Sequence, residues 1–296
     1  MSDNELGLFL RTRREAVTPA EAGLAAGARR RTPGLRRSEV AMLAGVSVEY
    51  LIRLEQGRDR HPSAQVLSAL AGVLRLTPAE RVHLHRLVKS SDAGFSCRGD
   101  AGPARTVRPT VRAVLDQLEP AAAVLVNQLG DILAHTAGFA RLAAPLGLLD
   151  GTPLNLLGGT PPNLLGGTPP NLARYVFSDP RARSVFPDWS QVADEQVAAL
   201  KQGPYRSNPH VAALADELTV TAGDEFTTRA ASLPGLPRAS GLLRITHPDA
   251  GPLRLTYETL ELSADDDQRL IVHLPADEAT ATALRNLTHP LRLVAG

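Results

Sequence analysis

Residues 36–56, RRSEVAMLAGVSVEYLIRLEQ, constrain the fold more than any other stretch of this chain. They form two short amphipathic segments separated by a glycine. Ala41 is small where two helices must approach closely, and Gly45, four residues later, suits the positive φ of a tight turn. Leu51 and Leu54 follow at helical spacing, so one face of the second segment is apolar. The other face carries Ser47, Val48, Glu49 and Arg53. A major-groove reader needs two helices meeting steeply, the second with a polar edge. The spacing of Ala41, Gly45, Leu51 and Leu54 therefore predicts a helix-turn-helix.

The flanks extend the motif into a domain. Residues 6–16 read as a helix, with Leu6, Phe9 and Leu10 on one side and Arg11, Arg13 and Arg14 exposed or paired. Helices are expected near 35–44 and 47–56, the second opened by Ser47 as N-cap and closed by Gly57. Two more follow. One covers 63–74, with Val66, Leu67 and Leu70 inward. The other covers 78–88, with Thr77 as N-cap and Pro78 at the first helical position. Five helices within residues 1–90 make an all-α domain. The connection 18–34 holds Arg29, Arg30 and Arg31. Close to a reading helix these arginines suit a phosphate clamp; a solvated charged loop is the alternative.

Charge divides the chain in the same place. Residues 1–98 carry 16 Arg plus Lys against 10 Asp plus Glu, and the remainder carries 16 against 21, although the whole is only +1. A basic N-terminal part joined to an acidic C-terminal part suggests a polyanion-binding module and a separate partner. Only Lys89 and Lys201 are lysines, so nearly all the positive charge is guanidinium. A genome-wide arginine bias accounts for that preference equally well; it does not account for the asymmetry. At 296 residues, with 43% hydrophobic and 21% charged, two globular domains are expected. No apolar run reaches the roughly 18 residues of a membrane span. The N-terminus lacks the pattern of a signal peptide. A lone Cys97 suits a reducing compartment, so a cytoplasmic location is expected.

From these residues the chain resembles a known family. GLRRSEVAMLAGVSVEYLIRLEQGRDRHPSAQVLSALAGVLRL is similar to the lambda-repressor-like helix-turn-helix regulators, in their xenobiotic-response-element (XRE) branch. The preceding RRRTPGLRR resembles the subgroup that couples this head to a C-terminal MmyB-like ligand-binding domain with a PAS-related fold. The match is close over 5–90 and looser over most of 109–275. It implies base contacts from Ser47, Val48, Glu49 and Arg53, and a phosphate contact from Arg37. It also implies a structural pair between Arg14 and Glu55. Arg58, Arg60, Arg30 and Arg31 complete the DNA-binding candidates as backbone contacts, with a charged surface loop as the alternative for each. Glu49 either caps its helix through the dipole or accepts from cytosine N4. Tyr50 either packs or touches phosphate.

Residues 91–108 have no periodicity and read as a linker; the Arg-Gly-Asp at 98–100 falls there by chance. From Pro109 the pattern changes. VRAVLDQLEP reads as a helix, and AAAVLVNQLGDILAHTA as strand, turn at 127–130, strand. A helix follows around Phe139. Residues 242–247, 253–262 and 270–275 are strand candidates with turn-like connections. Leu253, Leu255 and Tyr257 alternate with Arg254, Thr256 and Glu258, as in a half-buried antiparallel strand. An α+β domain with a small antiparallel sheet is expected over 109–296, and the resemblance makes it PAS-like. Between the strand groups, 151–173 repeat with period eight: GTPLNLLG, GTPPNLLG, GTPPNLA. So few units cannot bury a continuous core, so an inserted exposed loop at about 151–170 is expected. The last pair, Asn171-Leu172, is expected to keep the helix-opening role that a single Pro-Asn-Leu has in the family.

Tyr175, Phe177, Phe186 and Trp189 lie close together in a chain with only 4% aromatics. With Phe139, His247 and Tyr257 they form the candidate lining of an apolar ligand pocket. A core joining helices to sheet is the plainer reading, and for His247 a satisfied core histidine. No Gly-x-Ser-x-Gly, His-Glu-x-x-His, Cys-x-x-Cys, dinucleotide fingerprint or P-loop is present. Catalytic residues, metal ligands and cofactors are therefore not assigned. The expectation is a homodimeric transcriptional regulator of double-stranded DNA, controlled by a small apolar ligand of fatty-acyl type, without membrane contact. The alternative is constitutive DNA binding with a C-terminal protein-interaction or dimerisation module.

Overall fold

Short polar residues explain where most of the N-terminal helices begin. In a computed structural model, the structure describes residues 4–24, 32–59, 61–90, 102–150, 169–202, 208–262 and 268–288. Arg30, Arg31, Arg60, residues 98–100 and the repeat up to residue 168 lie outside these. The chain divides into two units. One is Met1–Ala101 with Lys201–Ala212 and Ala230–Leu236; the other is Gly102–Leu200, Ala213–Arg229 and Pro237–Gly296.

In the first unit, α1 (Glu5–Ala16) is opened by Asn4, whose side chain accepts from the Gly7 amide. Then come α2 (Arg37–Ala44), α3 (Val48–Glu55), α4 (Ala64–Val73) and α5 (Pro78–Ser90). Ser47 Oγ accepts from the Tyr50 amide at 3.0 Å and Ser63 Oγ from the Val66 amide at 3.3 Å. Before α5 the bonding is reciprocal: Glu80 accepts from the Thr77 amide, and Thr77 Oγ1 from the Glu80 amide. Each such cap contributes about 1 kcal/mol. Gly45 joins α2 to α3 at φ 67°, and a Cβ there would meet nothing within 4 Å. Backbone conformation, not space, thus selects glycine at this turn. Phe9, Leu10, Leu35, Val40, Ala41, Leu51, Leu54 and Leu70 form the shared core. Within the same unit, the fully buried Lys201 ammonium donates to the carbonyls of Ala230 and Leu233 and pairs with Glu5.

The C-terminal part of the chain begins with α6 (Pro109–Gln117), β1 (Ala122–Val126) and β2 (Ile132–His135), then α7 (Ala137–Ala143). The aromatic-rich segment folds as α8 (Leu172–Ser178), the short α9 (Ala182–Val185) and α10 (Trp189–Leu200). Two further helices, α11 (Pro209–Ala222) and α12 (Asp224–Ser232), precede β3 (Ser240–His247), β4 (Gly251–Glu261), β5 (Arg269–Pro275) and α13 (Glu278–Thr288). The strands form one antiparallel sheet in the order β2-β1-β5-β4-β3. Every strand expected from the alternation is present, and β3 to β5 form the expected meander.

The sheet has two differently covered faces. Val124, Val126, Ile245, Leu253 and Leu255 point inward onto Phe139, Leu142, Tyr175, Phe186 and Trp189. On the outer face, Val111 and Leu115 of α6 cover Ala123, Leu125, Leu133 and Leu270. Further along that face the row Leu242–Thr256–Leu274 stays exposed. Asn171 fixes the start of α8. Its side chain accepts from the Arg174 amide and donates to Asp131 Oδ1 at 2.7 Å and to the Leu129 carbonyl. Asn127 holds the other oxygen of Asp131.

Candidate nucleic-acid interface and ligand-binding region

The exposed edge of α3 follows from its buried edge. Leu51, Leu54 and Glu55 turn into the core, which leaves Ser47, Glu49 and Arg53 exposed and Val48 half-exposed. The Arg53 guanidinium lies over the Tyr50 ring, 5.4 Å from its centroid. Both sit on one helix three residues apart, so the aromatic face limits where the guanidinium can point. Tyr50 is half-buried and packs against the helical core as well. Burial, and next the charge of Asp59, raise its hydroxyl above the ordinary tyrosine value. Arg58 is exposed just beyond α3, its amide bonded to the Arg53 carbonyl.

Behind this edge lies a buried charge cluster. Glu55, only 2% exposed at its side chain, receives Arg14 Nε at 2.6 Å and Arg37 Nε at 2.8 Å. Arg14 also donates to the Leu35 carbonyl at 3.0 Å. Burial works against the charge on Arg14, but hydrogen bonding and attraction from Glu55 outweigh it and raise its pKa. The structural pair expected between Arg14 and Glu55 is thus in place. Sequence reasoning did not foresee that Arg37, read as a phosphate contact, shares the same carboxylate. Its side chain remains 44% exposed. The available signal was Glu55 itself, an acid next to Leu54 on an otherwise apolar face, which implies a buried partner.

The candidate pocket residues all gather at the inner face of the sheet or its helical cover. Phe139, Tyr175, Phe186 and Trp189 are buried in its core, and Phe177 packs against them. Tyr175 meets Phe186 edge-on, and Phe177 meets both Trp189 and Phe226 edge-on. The polar ends of two rings are occupied: Tyr175 Oη donates to the Leu146 carbonyl at 2.6 Å, and Trp189 Nε1 to the Val176 carbonyl at 2.9 Å. These rings have the satisfied geometry of a core. His247 accepts at Nδ1 from the amides of Asp249 and Ala250, closing the β3–β4 turn, while its buried Nε2 has no partner among the described residues. Tyr257 is half-buried on β4, its hydroxyl pushed up to about 12 by burial and then by the charge of Glu195.

Two known families match separate stretches of the chain. A helix-turn-helix domain family matches residues 5–84. The family described as the MmyB-like transcription regulator ligand binding domain matches residues 107–287. The chain belongs to the MmyB-like transcription regulators. No curated protein matches it at a significant level. The MmyB-like match spans every strand of the sheet and all the candidate pocket residues, and the helix-turn-helix match spans α1 to α4 and all nine DNA-contact candidates. Among the described residues no helix is long and apolar enough to cross a membrane, and no His, Cys, Asp and Glu cluster could hold a metal ion. Two half-buried histidines of the MmyB-like domain, His135 on β2 and His273 on β5, share the inner face of the sheet, which emerges only when the strands are paired.

Proposed function

We propose that this MmyB-like chain is a sequence-specific, homodimeric DNA-binding regulator controlled by a small apolar molecule. The observation that carries the reading is the exposed edge of α3, with Arg53 braced on Tyr50 above a core that fixes the helix. Residues 1–90 would be the reading head, 91–108 the linker and 109–296 a PAS-like ligand-binding and dimerisation domain. Ser47, Val48, Glu49 and Arg53 face base edges, and Arg37, Arg58, Arg60, Arg30 and Arg31 neutralise phosphates. A ligand that favours one arrangement of two heads shifts how they fit paired half-sites.

Selection and sequencing of DNA bound by the purified protein tests the head. Arg53→Ala is expected to weaken binding by about 1–3 kcal/mol and to relax preference at one base position. An unchanged selected sequence and affinity would remove Arg53 from the interface. Native mass spectrometry of protein from its own host tests the ligand, since a co-purifying apolar molecule is expected. The second reading, a protein-interaction module without a ligand, draws on the exposed Leu242–Thr256–Leu274 row. It predicts a co-purifying protein instead.

A further inference from the structure

The end of α4 is closed in a way that an arginine does not favour. The amide of Arg75 bonds to the Gly72 carbonyl at 3.1 Å and that of Leu76 to the Ala71 carbonyl at 3.0 Å. This paired closure usually sets a glycine in its left-handed position. Here Arg75 holds that position at φ 49°, and among the described residues no other side chain sits at a positive φ. A Cβ is strained there, whereas glycine would not be. After α2 and α3 the chain does place glycine, Gly45 at φ 67° and Gly57 at φ 68°. Position 75 therefore holds its residue for the side chain and not for the backbone.

That side chain and Arg81 line a cleft of about 470 Å³ whose apolar part includes Leu43, Val73 and Leu76. None of the DNA-contact candidates lines it, and α3 contributes nothing to it. Arg81 Nε donates to the Leu76 carbonyl at 3.0 Å, which ties this guanidinium to the cleft. Among the described residues neither arginine is in an ion pair. The charge of Arg75 reaches Glu21, but that carboxylate already accepts from the Thr18 amide at 2.7 Å and the Thr18 hydroxyl at 2.6 Å. Leu43, Arg75 and Arg81 are all exposed, so the cleft is open to whatever covers it.

We propose that this cleft docks an acidic segment of a partner protein, one bulky apolar side chain resting on Leu43, Val73 and Leu76 and flanking carboxylates meeting Arg75 and Arg81. Carboxylates match the forked donors of a guanidinium, and the apolar floor calls for a side chain between them. A DNA backbone supplies the charge but nothing for Leu43 and Val73. A small molecule is normally buried over most of its surface, which a cleft this open does not do. In a symmetric contact with a second copy the same patch meets itself, which sets Arg75 and Arg81 against their own counterparts. The proposal goes beyond ligand control and does not depend on it: it gives the DNA-binding head a second surface, one that recognises protein.

The test uses the full chain and a fluorescein-labelled hexapeptide, Asp-Glu-Leu-Phe-Asp-Asp, read by fluorescence anisotropy at low ionic strength. Two controls keep its length: Asn-Gln-Leu-Phe-Asn-Asn lacks most of the charge, and Asp-Glu-Gly-Ser-Asp-Asp lacks the apolar pair. The acidic apolar peptide is expected to bind at least about fivefold tighter than either control. Arg75→Gly is expected to weaken it by about threefold or more. The same variant is expected to melt at an unchanged or higher temperature, since glycine relieves the positive φ, so a loss of binding is not a loss of folding. Affinity equal to that of a control, no binding up to about 1 mM, or unchanged affinity in Arg75→Gly overturns the proposal. Displacement of the peptide by sodium decanoate at a lower concentration than by unlabelled peptide assigns the cleft to a small amphiphile and also overturns it. Affinity for the selected operator DNA is expected to be the same with and without Arg75→Gly; a matching loss there makes Arg75 a phosphate contact, and the proposal falls. If the chain selects no DNA sequence, the reading head falls, while the peptide affinities still decide the cleft.

Discussion

His83 shows how one misplaced titration can govern a helical core. It is 2% exposed on α5, edge-on to Phe9 at 5.1 Å, and neither ring nitrogen has a hydrogen-bond partner among the described residues. Burial first, then the charge of Arg86 and that of Lys201, lower its pKa to about 4, with Glu80 opposing. The folded value lies below that of the unfolded chain, so between pH 6.5 and 4 the unfolded chain binds more protons. Stability is therefore complete above about pH 6.5 and is lost as pH falls, by roughly 3 kcal/mol on reaching pH 4. His83→Leu is expected to flatten this slope and to change little at pH 8, since no hydrogen bond is removed. Urea unfolding midpoints measured from pH 8 to pH 4.5 check it, and an unaltered slope would show that another group governs the loss.

At the scale of elements, the α1–α3 junction depends on Glu55. Glu55→Gln leaves Arg14 buried beside a neutral amide, and a cost of about 3–5 kcal/mol is expected. Arg37→Ala, at a nearly half-exposed partner of the same carboxylate, is expected to cost about 1 kcal/mol or less. Thermal denaturation of the two variants separates these values; similar losses would mean that Arg37, not Arg14, is the principal partner. The elements themselves were largely legible. Ser47, Ser63 and Thr77 mark helix starts because a short oxygen satisfies free amides wherever it occurs. The alternation from Leu253 to Glu258 marks a strand because its period is local. The order β2-β1-β5-β4-β3 was not legible, because β1 meets β5 only after more than 140 intervening residues. For the same reason it was not evident that His135 and His273 share a face; the Arg37–Glu55 pair, only 18 positions apart, was missed although Glu55 signalled a buried partner.

For the whole molecule, the uneven charge is the property that binding must reflect. The first 98 residues hold the excess of basic over acidic side chains, so affinity for DNA is expected to fall steeply with salt. Sedimentation with operator fragments is expected to show two chains bound to half-sites about 34–36 Å apart. One chain saturating one half-site would refute the dimer.

The clamp of Asn171 on Asp131 has a consequence for how this gene can vary. Each eight-residue unit carries the same Asn-Leu pair at its fifth and sixth places, so after a gain or loss of whole units the final copy still presents an asparagine to Asp131. The helix that follows keeps its starting point, and lengthening the connection costs little, about 0.6 kcal/mol per doubling. Whole units can thus be gained or lost while the sheet and its aromatic cover keep the same anchor.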